Sequence, residues 1–129
     1  MISRNYEIRR VAKRPSSNSV HTSVFGVRMR QARERQGLPQ DKLGVLIGID
    51  EHSASARMSR YESGIHEAPI DTARNLAHAL KVPLAYLYCD DDNLAELLLA
   101  ASQLPEEDRV LLVKSVQTRL LQFQASTGS

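Results

Sequence analysis

A single cysteine, Cys89, leaves the chain without an internal disulfide framework and without any four-cysteine zinc site. Tryptophan is absent, and aromatics make up only 5% of the 129 residues. β-Branched residues never alternate over long runs, so the apolar content favours helices packed through Leu, Ala, Val and Ile. No stretch approaches the roughly 18 consecutive apolar residues of a membrane span. The N-terminal basic residues have no apolar core behind them, so a secretory signal is not expected and the expected location is cytoplasmic. No HExxH, CxxC, GxSxG, Walker or GxGxxG motif occurs. His21, His52, His66 and His78 fall in no metal-ligand spacing. These absences argue against an enzyme, a metal site, a cofactor and a membrane partner.

Apolar residues make up 42% of the chain, enough for a core in one compact domain with an appended arm or tail. The net charge of +2 hides an asymmetry. Residues 1–89 hold 14 of the 17 basic and 8 of the 15 acidic side chains, a surplus of +6. Residues 90–129 hold the remaining 3 and 7, a balance of −4. Thirteen of the basic residues are arginine, the better fork for phosphates and base edges. A basic front and an acidic tail suggest that only the front meets a polyanion.

Residues 1–22 combine Arg4, Arg9, Arg10, Lys13 and Arg14 with a Pro-Ser-Ser-Asn-Ser run. So little apolar surface cannot offset the entropy of ordering, and a flexible basic arm is expected. From Ser23 the pattern becomes helical. Ser23 suits an N-cap, Phe25, Met29 and Ala32 share a face, and Gly37 suits a stop. A second short helix spans Gln40 to Ile47, ended by Gly48. A third ends near Glu62, before Ser63-Gly64. A fourth opens at Pro69-Ile70-Asp71 and buries Ala73, Leu76, Ala77 and Leu80. Pro83 starts a short fifth, completing a domain over 23–89. Asp90-Asp91-Asp92 then favours another helix start. Leu94, Leu97, Leu98, Ala101 and Leu104 follow at helical spacing. Pro105-Glu106-Glu107-Asp108 opens a last helix whose Val113, Val116, Leu120 and Phe123 make a 3-4-3 seam. Residues 90–124 therefore form a helical extension, and 125–129 are expected to fray.

Reading a duplex requires a helix that fits the major groove and a second helix crossing it closely through a tight turn. Gln40 to Gly48 meets that demand, with Gly44 allowing close approach and Gly48 making the turn. Met58 and Tyr61 supply inward groups on the partner helix, while Ser55, Arg57, Ser59 and Arg60 point outward.

Three linked motifs strengthen this pattern: Gly-Leu-x-Gln at 37–40, Ser-Arg-Tyr-Glu-x-Gly at 59–64 and Leu-Ala-x-Ala-Leu-x-Val at 76–82. From Phe25 to Tyr88 the chain resembles the lambda-repressor/Cro-type (XRE-like) helix-turn-helix regulators. The resemblance implies an all-α fold, a five-helix DNA-binding domain with its third helix in the major groove of double-stranded DNA. It places Gln40 against a phosphate at the start of the second helix, where backbone N–H groups favour anions. Ser53, Ser55, Ala56, Arg57 and Arg60 fall where the family meets base edges or nearby phosphates, and Ser59 nearer phosphate. Arg60 is the best candidate for guanine O6 and N7. Arg33 and Glu62 match a structural ion pair that ties the first helix to the end of the third.

One departure stands out. Between Gly48 and Met58 the chain carries about four residues, roughly one helical turn, more than the family usually does. Asp50 and Ser53 both suit an N-cap, so either the turn or the third helix is longer.

The implied function is a sequence-specific transcriptional regulator, a repressor covering a pseudo-palindromic operator as a homodimer. Single helix-turn-helix units bind weakly and normally use two half-sites, and the extension would supply the dimer seam through Val113, Val116, Leu120 and Phe123. The alternative is an antitoxin, or another interaction module, that neutralises a protein partner and autoregulates through the same domain.

Overall fold

The computed structural model describes residues 23–128, and all regular structure in that span is helical. The basic arm expected over 1–22 lies outside the described residues. Ser23 caps α1 (Val24–Arg35), its hydroxyl accepting the Gly26 N–H at 2.9 Å. α2 (Gln40–Leu46) ends one residue before the expected Ile47. Gly48 then takes φ +91°, a left-handed conformation open to a residue without Cβ, and the Ile49 N–H returns to the Gly44 carbonyl.

α3 (Glu51–Ser63) answers the question left by the longer spacing. Asp50 is the cap, its carboxylate accepting the His52 N–H at 3.3 Å, so the extra residues lengthen the helix rather than the turn. α4 (Ile70–Leu80) and α5 (Leu84–Tyr88) complete the domain. Met29 of α1, Leu43 of α2, Met58 of α3, Leu76 and Leu80 of α4, and Tyr86 and Leu87 of α5 are fully buried together. Each such side chain contributes about 1.5–3 kcal/mol by leaving water.

Two glycines let helices touch where a side chain could not fit. A methyl group at Gly44 would sit 2.5 Å from the Ala54 Cβ, so α2 and α3 cross with almost no gap. A methyl group at Gly26 would collide with the Glu62 carbonyl oxygen, which presses the start of α1 against the end of α3.

α6 (Asp92–Ser102) packs back on the domain, and its Ala95 and Leu99 join the core. Two charged pairs accompany that packing. Arg28, three residues after Phe25 and four before Ala32 and so beside the apolar face of α1, is only 5% exposed. Its guanidinium donates to the Cys89 carbonyl at 2.7 Å, to Gln31 Oε1 at 3.0 Å and to Asp92 Oδ1 at 2.8 Å, and lies 5.7 Å from the centre of the Tyr86 ring. Arg35 holds Glu96 at 2.6 Å one turn further along α6. With Ala95 and Leu99 turned inward, Leu94 and Leu97 of the same helix are left exposed, as is Leu104 beyond its end.

α7 (Glu106–Thr127) packs against the rest of the protein chiefly where it leaves α6, and no residue of it is buried. The helix runs to Thr127 rather than fraying from 125, as the hydroxyls of Ser126 and Thr127 donate to the Phe123 carbonyl and hold the last turn. Among the described residues no helix is long and apolar enough to cross a membrane.

Candidate nucleic-acid interface

The face of α3 follows from its buried stripe. Ala54, Met58, Tyr61 and Glu62 are buried against the domain, which leaves Glu51, His52, Ser53, Ser55, Ala56, Arg57, Ser59 and Arg60 exposed. Six of the residues assigned to DNA from the sequence, Ser53, Ser55, Ala56, Arg57, Ser59 and Arg60, therefore share one helix and its solvent side. Ala56 lies at the middle of that side, two residues from both Ala54 and Met58 and so about 200° around the helix from each. Arg60 and Ser53 lie close to Ala56 in projection, while Ser55 and Arg57 flank the face on opposite sides. Among the described residues neither Arg57 nor Arg60 makes an ion pair.

The brace beneath this face is ionic. Arg33 Nε and Nη2 donate to the two Glu62 carboxylate oxygens at 2.8 and 3.1 Å, and Arg33 Nη1 donates to the Leu38 carbonyl at 2.8 Å. The hydrogen bond to Glu62 raises the Arg33 guanidinium above its ordinary value, against the opposing effect of burial. Gln40, half-buried at the first position of α2, extends its amide towards Glu62 Oε1 at 3.4 Å. α1, α2 and α3 thus converge on one carboxylate, which fixes the pitch of α3 without using a group from its open face.

The loop after α3 exposes Ile65, His66 and Glu67. The His66 N–H donates to the Arg60 carbonyl at 3.3 Å, so that amide is already occupied. Among the described residues no group of His, Cys, Asp and Glu side chains is arranged to hold a metal ion.

A braced helix with an open, donor-rich outer face, crossed by a second helix at a glycine, is the geometry of a helix-turn-helix unit. A family model described as a helix-turn-helix domain matches residues 24–87, which is α1 through most of α5. The crystal structure of transcriptional regulator BswR resembles the chain with a TM-score of 0.69 and 46% sequence identity, over 72% of this chain and 92% of that one. The chain belongs to the XRE-like helix-turn-helix transcriptional regulators. It is also similar to an uncharacterized HTH-type transcriptional regulator, y4wC, of Sinorhizobium fredii (strain NBRC 101917 / NGR234). That likeness is 31% identity over 93 residues, 72% of this chain, and the chain spans 59% of that relative's length.

Within this helix-turn-helix frame two residues escape sequence reasoning. Gly26 carries no signal in a single sequence, because its need arises only from the end of α3 pressing on α1. Arg28 lies beside the apolar face by spacing, but its partners cannot be read from the sequence, because only the fold brings the Cys89 carbonyl and Asp92 to it.

Proposed function

We propose that the chain is a non-enzymatic, sequence-specific DNA-binding regulator of transcription that sets α3 in the major groove of duplex DNA. The observation that carries this reading is the outer face of α3, where Ala56, Arg57, Ser59 and Arg60 stand exposed on a helix braced from behind by Arg33 and Glu62. Arg60 is the side chain assigned to guanine, since a guanidinium spans O6 and N7. Ser53, Ser55, Ala56 and Arg57 accompany it in the groove, and Gln40 and Ser59 meet flanking phosphates.

The protein acts as a homodimer in this reading. α7 displays Val113, Val116, Leu120 and Phe123 to solvent, none less than 42% exposed, on a helix that buries nothing within its own chain. Two copies joined there offer two α3 helices to a pseudo-palindromic operator, and occupation of such a site represses by blocking polymerase. Soluble, cytoplasmic action follows from that role.

Footprinting of the purified protein on DNA flanking its own coding region tests the proposal. Two protected half-sites about 34–36 Å apart, one helical turn or a multiple of it, are expected. Absence of any protected sequence on such DNA, with the protein folded, contradicts it.

A further inference from the structure

α3 begins at Glu51, two residues before Ser53, because Asp50 rather than Ser53 caps it. Residues four apart on a helix stack into one ridge. The added turn therefore sets His52 in line with Ala56 and Arg60, and all three are exposed. This is the ridge farthest from the buried stripe of Ala54, Met58 and Tyr61. The two neighbouring carboxylates stand apart from it. Asp50 is engaged with the His52 N–H. Glu51, three residues before Ala54, lies on the flank nearer the buried stripe, where its charge suits the positive end of the helix dipole.

We propose that His52 is a specificity-determining residue that leads α3 into the major groove and donates an imidazole N–H to the N7/O6 edge of a guanine. The proposal rests on the groove reading of α3 given above. Helices of this kind meet base edges with their N-terminal residues, and His52 is the first side chain of the outer ridge. Imidazole carries an N–H donor whether neutral or protonated. Behind it, Ala56 suits a thymine methyl and Arg60 supplies further donors. A ridge that offers donors and no acceptor carboxylate matches guanine, whose groove edge presents two acceptors and no donor. His52 and Arg60 are about 12 Å apart along the axis at 1.5 Å per residue. With base steps of about 3.4 Å, their targets fall about three to four base pairs apart within one half-site.

The test is selection of binding sites from a random duplex library by the full chain, in wild-type form and as His52→Ala, His52→Gln and Arg60→Ala. His52→Ala is expected to lose a guanine preference of about three- to tenfold at one position, with the other positions unchanged. That position should lie about three to four base pairs from the one altered by Arg60→Ala. His52→Gln should move the preference to adenine at the same position, since glutamine pairs with N6 and N7. If wild type selects a site but His52→Ala changes no position, or weakens all sequences equally, the His52 assignment is overturned while the groove reading of α3 survives. If wild type selects no sequence, the groove reading falls and takes this assignment with it.

Discussion

Arg33 grips Glu62 through two parallel hydrogen bonds, 2.8 and 3.1 Å long, between side chains only 13% and 6% exposed. The pair joins the C-terminal half of α1 to the last turn of α3, so the angle of α3 is set from α1 rather than from its own open face. Arg33→Ala leaves the Glu62 carboxylate buried with only a long contact from Gln40, and is expected to cost about 3–5 kcal/mol in chemical denaturation. Replacing both residues, as Arg33→Met with Glu62→Met, should recover most of that stability. A double variant as unstable as Arg33→Ala would show that packing, not the stranded charge, dominates at this joint.

Gly44 faces Ala54 across the helix crossing with no room for a methyl group. Gly44→Ala should push α2 off α3 and lower stability by about 1–3 kcal/mol. A variant that unfolds at the wild-type midpoint of a urea titration would mean that the crossing is looser than described.

This crossing also explains what the sequence leaves open. The helix stops were legible, because Gly48 and Gly64 supply the left-handed conformation at the ends of α2 and α3. The composition of the open face was legible too, since serine and arginine occupy the positions between the apolar ones. The start of α3 was not, because Asp50 and Ser53 are locally equivalent caps. What accompanies the earlier start is a contact that no local pattern shows, Ala54 packed under Gly44 of α2. Arg28 and the rotation of α6 were hidden for the same reason. The partners of Arg28 lie more than sixty residues away, at Cys89 and Asp92, so a leucine stripe that looks like core on α6 faces partly outward.

Tyr86 is fully buried, and burial pushes its phenol above the ordinary tyrosine value, with Arg35 and Arg28 opposing in part. The folded state thus holds this proton more tightly than the unfolded chain does. Stability from Tyr86 is fully present below about pH 10, the value of an unfolded tyrosine, and is lost as pH rises through the higher folded value. Thermal unfolding followed from pH 8 to 11 should show a falling Tm. Tyr86→Phe should flatten part of that fall, and an unchanged slope in this variant would remove Tyr86 as its cause.

α6 belongs to the core through Ala95 and Leu99, whereas α7 does not. A stop after Ser102 should therefore leave a folded domain that sediments as a monomer at micromolar concentration. Its affinity for a two-half-site duplex should drop while binding to a single half-site is kept. A truncated chain that still sediments as a dimer would move the interface away from Val113, Val116, Leu120 and Phe123.

Ala56 offers the most direct test, because it sits at the centre of the outer face of α3 and touches nothing in the core. Ala56→Glu would place a carboxylate among phosphates and base acceptors without disturbing the fold. Titration of a duplex carrying the footprinted site, followed by fluorescence anisotropy, should show binding fall to the non-specific level, about 10³-fold or more, at an unchanged Tm. Wild-type affinity in Ala56→Glu would mean that this face of α3 does not enter the groove.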